Sequence, residues 1–160
     1  MSDFNQAMDI VFKLEGGKVT DEGGETNFGI SKNQYPNEDI ANMTIDKAKV
    51  IYKRDYWDIV KGDQLAWPLS LFVFDAAVNQ GCDNKANFAT QKMLQKAVGV
   101  PQDGILGVQT MQAVLKKKGE FLNATFLQER AMRYIGTRSF DKNGKGWYIR
   151  LFRLVILSKG

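Results

Sequence analysis

The sequence predicts a mainly α-helical domain of α+β type: a helical bundle with one small β-hairpin near its start and a helical lobe at its C-terminal end. Three observations carry this. Apolar residues recur at i, i+3, i+4 spacing along most of the 160 residues. Residues 16–34 break that period and hold Gly16, Gly17, Gly23, Gly24 and Gly29 among Thr, Asn and Asp, which is turn and short-strand chemistry. With 44% hydrophobic and 25% charged residues, the chain can bury a core of single-domain size.

The elements follow in order. Phe4, Ala7, Met8, Val11 and Leu14 make one apolar stripe on a helix from about Phe4 to Glu15, with Gly16 as its stop. Thr44 reads as an N-cap and Asp46 as a first-turn acid of a helix reaching about Trp57. Pro68 suits the first position of a helix through Asn79, closed by Gly81, with a broad apolar face of Leu69, Phe72, Val73, Ala76 and Ala77. A further helix spans about Asn84 to Val98 and stops at Gly99. After the loop Val100–Gly107, helices are expected at about 108–118, 120–136 and 145–158. Lys116, Lys117 and Lys118 stand at a helix end, where cations suit the dipole. No internal repeat or low-complexity tract interrupts the order.

Composition excludes several chemistries. The chain has no histidine, which removes Ser-His-Asp and Cys-His hydrolysis and histidine-ligated zinc. Its single cysteine, Cys82, permits no intrachain disulfide and reads as a small buried apolar residue. Carboxylate chemistry remains, and no metal or organic cofactor is implied. The net charge of +4 favours an anionic partner such as a bacterial wall or a nucleic acid. Met1–Gln6 lacks the basic and apolar regions of a signal peptide, and Leu151–Leu157 is interrupted by Arg153 and too short to span a bilayer. The expectation is a soluble protein without its own export signal and without membrane insertion.

Glu15 is the leading candidate for chemistry. It ends an amphipathic run, next to Gly16-Gly17, and faces the Gly-rich turn that carries Thr26. At a helix C-terminus the dipole opposes a carboxylate, and cover by aromatic rings would act in the same direction. Both would help an acid catalyst hold its proton. The neighbouring glycines leave room for a bulky chain. The alternative is an exposed glutamate before a glycine stop. Thr26 could orient a water or be an ordinary strand threonine. Asp21, Glu22 and Glu25 are candidates for a second catalytic carboxylate, or are solvated loop acids. Asp75 and Asn79, four apart, share one face of an otherwise apolar helix, an expensive arrangement without partners. They either reach a ligand or belong to a structural network. Tyr56, Trp57 and Trp67 offer rings for sugar stacking or for the core.

Several stretches together resemble glycoside hydrolase family 108, the lysozyme-like N-acetylmuramidases of phage endolysins and bacterial relatives. They are Leu14-Glu15-Gly16-Gly17, Gly23 through Ser31, Tyr35-Pro36, Ile51 through Asp58, Gly62-Asp63 and Phe74 through Gly81. The resemblance implies a catalytic region over residues 1–85 with Glu15 as general acid. Thr26, Asp75 and Asn79 would be cleft residues. Asp103 through Thr110, with Gly146-Trp147, resembles the family's C-terminal peptidoglycan-binding region. That puts residues 86–160 in a binding role, sharing one core, with Asp103, Gly104, Gly107 and Thr110 as its signature. The stretch between Gly17 and Gly23 is about three residues shorter than is usual in the family. Lys18 stands where an aromatic is common.

The expectation is hydrolysis of the β-1,4 bond between N-acetylmuramic acid and N-acetylglucosamine in peptidoglycan glycan strands. Glu15 would protonate the leaving oxygen, while Thr26 or a nearby acid would orient the water. The family implies a phage endolysin made in the host cytoplasm and released through a holin lesion; nothing in the sequence suggests an obligate oligomer, and a monomer is the expectation. A second carboxylate at about 5–5.5 Å would mean retention, and one at about 6.5–9.5 Å inversion. The alternatives are a lytic transglycosylase and a non-catalytic wall-binding or phage structural module. A nucleic-acid-binding regulator fits less well, because no recognition helix rich in Lys and Arg is present.

Overall fold

The computed structural model describes residues 3–15, 19–21, 24–117 and 119–160, with the backbone alone at 19–21, 24 and 25. Helix α1 (Asp3–Glu15) buries Phe4, Ala7, Met8, Ile10 and Val11, one stripe at helical spacing. The expected stop at Gly16 lies outside the described residues, as do Gly17, Lys18, Glu22, Gly23 and Lys118.

The Gly-rich segment forms three short antiparallel strands rather than a plain hairpin: β1 (Val19–Asp21), β2 (Gly24–Asn27) and β3 (Ile30–Ser31), in that order. Thr26 sits on the middle strand, opposite Val19 on one side and Ser31 on the other. Phe28 and Gly29 join β2 to β3 with φ of 51° and 75°, the pair of positive values that a tight two-residue hairpin turn requires. The Tyr52 hydroxyl donates to the Phe28 carbonyl at 3.2 Å. A Cβ on Gly29 would lie 2.3 Å from that hydroxyl, so glycine serves both the turn and the contact. The buried Asn27 amide donates to the carbonyls of Ile40 and Met43 and ties the sheet to the next loop.

Helix α2 (Ile45–Tyr52) starts at Thr44, whose hydroxyl accepts from the Lys47 amide at 3.3 Å. Instead of continuing as α-helix to Trp57, the chain widens into a π-helical turn, Lys53–Trp57. That turn sends Trp57 into the core, edge-on to Phe4 and Phe74 with ring centroids 5.4 Å away in each case. The Trp57 indole donates to Asp63 at 2.9 Å from a short 3₁₀ turn, Gly62–Gln64.

Helix α3 (Leu69–Gln80) is the centre of the molecule, buried from Leu69 to Ala77 and packed on α1 and on the helices that follow. Helix α4 (Ala89–Val98) ends at Gly99 in a left-handed cap. It begins five residues later than its periodicity suggests, because Asn87 and Phe88 take positive φ. Helices α5 (Val108–Lys116), α6 (Glu120–Ile135) and α7 (Phe140–Leu157) complete the bundle. Helix α7 also starts five residues before expectation. One hydrophobic cluster runs from Phe4 to Leu154.

Gly62 supports the Trp57 ring directly: a Cβ there would lie 2.3 Å from two indole carbons. Gly62→Ala is expected to destabilise the fold by roughly 1–3 kcal/mol through overpacking. A lowered urea midpoint with unchanged slope is the readout.

Candidate active site

Helix α1 delivers Glu15 to the flank of α7. Its Oε1 accepts from Arg150 Nη2 at 2.6 Å, and the Glu15 side chain keeps 28% of its exposure. The group hydrogen-bonded to Glu15 is therefore a guanidinium. Arg150 in turn donates to Asp75 Oδ1 at 2.8 Å. The opposite oxygen of Asp75 takes Arg130 Nη2, also at 2.8 Å. Four charges thus alternate in one chain, Glu15–Arg150–Asp75–Arg130, drawn from α1, α7, α3 and α6.

Asp75 and Arg130 are wholly inaccessible, at 0% exposure each. Burial alone would push the Asp75 carboxyl up. The guanidiniums of Arg130 and Arg150 more than offset it and hold the group below the usual carboxylate range. Burial likewise works against the charge on Arg150, and Asp75 and Glu15 outweigh it. Arg130 also donates from Nε to Gln80 Oε1 at 2.8 Å and from Nη2 to the Tyr134 hydroxyl at 3.4 Å. The Tyr134 hydroxyl donates to Asn79 Oδ1 in a short hydrogen bond. Asp75 is thereby a support within the protein and not a surface for substrate, whereas Asn79, on the same face one turn later, is partly exposed.

Two hollows meet at Asn79. The larger, about 860 Å³, is walled by Tyr35, Tyr56, Cys82, Asp83 and Phe88 among others. The smaller, about 160 Å³, lies between Leu14, Asn79, Gly146, Trp147, Arg150 and Arg153, immediately beside Glu15. Together they make a groove whose two parts share one amide side chain. Tyr35 shares hydrogen bonds with Tyr56 and Asp55 on the larger side. Cys82 lies in that wall, and burial pushes its thiol up to about 12, so it stays neutral and unreactive.

The remaining sequence candidates separate. Tyr56 lines the larger hollow. Trp57 is fully buried and unavailable to a sugar. Trp67 donates to the Ser158 carbonyl at 2.9 Å, eight residues beyond Arg150 on α7 and so about 12 Å along that helix. Thr26 is half-buried on β2, while Glu22 and the side chains of Asp21 and Glu25 lie outside the described residues. Asp103, Gly104, Gly107 and Thr110 belong to an internal staple and its flank. Gln95 donates to Asp103 Oδ1 at 2.6 Å and to Thr110 Oγ1 at 3.3 Å, and accepts from the Gly104 amide at 2.8 Å. Gly104 and Thr110 are buried, and Gly107 stands at the N-terminus of α5. Among the described residues no cluster of acids, cysteines or histidines could hold a metal ion.

Arg130, Arg150 and Tyr134 are the residues that sequence reasoning missed, while the sequence presents Trp147 only as part of the C-terminal signature. A signal did exist for two of them. Phe126, Arg130 and Tyr134 recur every four residues, which places an arginine on a buried stripe and calls for a buried carboxylate.

A partly exposed, helix-borne carboxylate beside a groove is an arrangement that carboxylate-dependent glycosidases use. Residues 8–81 match the family model described as Glycosyl hydrolase 108. The structure is similar to that of Brucella abortus SagA, with a TM-score of 0.82 and 34% identity over 97% of this chain and 92% of that one. No curated protein matches the chain. The chain belongs to the glycosyl hydrolase 108 family, and with it to the peptidoglycan hydrolases.

Asp75→Asn leaves Arg130 buried without its counter-charge, and is expected to destabilise by about 3–5 kcal/mol at neutral pH. Above about pH 4, the ordinary carboxyl range, Asp75 contributes fully. Below it the unfolded chain binds the proton first, and the contribution is lost as pH falls toward the depressed folded value. The gap between wild type and Asp75→Asn should therefore shrink in acid, as urea midpoints at pH 7 and about pH 3 would record.

Proposed function

We propose that this protein is an N-acetylmuramidase that hydrolyses the β-1,4 bond between N-acetylmuramic acid and N-acetylglucosamine, with Glu15 as general acid. The observation that carries the reading is the position of Glu15. It lies at the end of α1, fixed by Arg150 at 2.6 Å, where the smaller hollow meets Asn79. A substrate strand laid along the groove from the larger hollow would pass this carboxylate.

In the reaction the Glu15 carboxyl, protonated in the reacting complex, gives its proton to the glycosidic oxygen as the bond to the anomeric carbon breaks. A water then supplies the new hydroxyl at that carbon and loses a proton to a base. Thr26 on the neighbouring strand, or an acid among Asp21, Glu22 and Glu25, orients the water. Asn79 meets the substrate's N-acetyl or hydroxyl groups, and Tyr56 offers a ring in the larger hollow. Residues 86–160 hold peptidoglycan as part of the same groove, since α7 forms one of its walls. The net charge of +4 draws the enzyme to an anionic wall. The family resemblance supports an endolysin, made in a host cytoplasm and passed to the wall through a holin lesion.

Digestion of purified peptidoglycan in H₂¹⁸O, read by mass spectrometry, tests the reading. The expected result is labelled reducing N-acetylmuramic acid ends. Glu15→Gln should fold normally, keep the Arg150–Asp75 contact and lose at least ~10²-fold in rate, the scale of a general acid. Unlabelled anhydro-muramic ends would identify a lytic transglycosylase instead. Folded wild type without turnover would identify a wall-binding module.

A further inference from the structure

Arg150 lines the smaller hollow, but its charge is already answered by Asp75 and Glu15. Arg153 lines the same hollow one helical turn later, is exposed, and has no ion pair among the described residues. Gly146, Arg150 and Arg153 share one face of α7, at i, i+4 and i+7. Trp147 adds an aromatic wall. It stacks on Tyr134 with centroids 4.7 Å apart and planes 16° from parallel, which fixes the ring. Tyr134 is itself tied to Asn79, which also lines the hollow.

The hollow thus combines a fixed ring, a polar amide and a guanidinium without a counter-ion. At about 160 Å³ it is well below the roughly 300–1,000 Å³ of pockets that enclose a whole ligand. It suits a substituent of a sugar lying across its mouth. The chemistry left open is anionic, and a guanidinium fork matches a carboxylate. Gly146 borders open space: a Cβ built there meets nothing within 4 Å.

We infer that the hollow formed by Asn79, Gly146, Trp147 and Arg153 is a subsite that recognises a carboxylate carried on the amino sugar bound beside Glu15. The inference rests on the peptidoglycan reading of the groove. In that substrate the carboxylate has two sources, the free 3-O-lactyl group and the stem peptide joined to it. A strand of N-acetylglucosamine alone has neither, so Arg153 makes the groove selective for muramyl glycans.

The test is calorimetric titration of the wild-type protein with three disaccharides. They are N-acetylglucosaminyl-N-acetylmuramic acid with a free lactyl group, the same sugar bearing a stem peptide, and chitobiose. Wild type should prefer a muramyl disaccharide to chitobiose by about tenfold, the scale of one charge-assisted contact. Preference for the free lactyl form or for the peptide form identifies the source of the carboxylate. Arg153→Gln should abolish the preference and leave chitobiose binding unchanged.

Gly146→Leu should place an isobutyl group at the hollow and weaken all three ligands about tenfold or more. Because leucine favours a helix interior over glycine, this variant should melt no lower than wild type, which separates blocked binding from misfolding. Equal affinity of wild type for muramyl disaccharide and chitobiose would overturn the inference. So would an Arg153→Gln protein that keeps the preference. Wild type that cleaves peptidoglycan with ¹⁸O incorporation while either result holds would retire the subsite alone. Preference that persists without any cleavage would retire the hydrolase reading and leave the subsite standing.

Discussion

Asp75 is a carboxylate without solvent in the middle of the most apolar helix of the protein. Such a group is tolerated only where cations and hydrogen bonds replace its water. Here two arginines do so from two other helices, Arg130 from α6 and Arg150 from α7. Two cations on one anion leave an excess of charge, and Glu15 on α1 balances it. The candidate acid is therefore the partly exposed outer end of the network that Arg130 and Arg150 complete around Asp75. Helices α1, α3, α6 and α7 satisfy these charges only when all four are assembled, which makes the position of Glu15 a consequence of the completed fold.

This arrangement explains why the N-terminal and C-terminal halves cannot be assigned separate tasks. Residues 8–81 carry the family match, including Glu15, Asp75 and Asn79. Both arginines that orient these groups come from beyond that stretch. The same two helices supply Tyr134 and Trp147, and α7 walls the smaller hollow. In contrast, the turn around Asp103, exposed at Asp103 and Ile105, is tied to α4. Gln95 takes up its polar groups, and Gly104 leaves room for Phe88, to which a Cβ would come within 2.8 Å. The segment that resembles a binding signature thus works as a staple between α4 and α5, while the groove face of the C-terminal half is presented by α7.

Much of the fold was legible because helical periodicity reports which face of a segment is buried. Phe4 to Val11 and Leu69 to Ala77 are where their spacing puts them, and Thr44 caps the helix it announces. The errors have identifiable causes. Glycine reads as a breaker, yet Gly144 lies inside α7 because a Cβ there would strike the Phe140 ring at 2.6 Å. Its absence of side chain lets the helix begin at Phe140. Tryptophan has the same identity in a core and in a cleft, and a π-helical turn that no local pattern announces sent Trp57 to the core. For the site, a sequence shows that Asp75 needs partners but not which of many arginines, 55 and 75 residues further on, will provide them.

Tyr134 joins the two demands on the site. Its hydroxyl accepts from Arg130 and donates to Asn79, while its ring carries Trp147. The charge network is thereby coupled to Asn79 and Trp147, two residues that line the smaller hollow. A sugar resting there would be positioned by groups whose own rotamers are held by the buried ion pairs, and so would the carboxylate beside it. Reacting groups gain most when they are fixed before the substrate arrives. In this protein the rigid element that fixes them is the same one that lets a buried aspartate exist, so orientation of catalyst and grip on substrate have a single physical source.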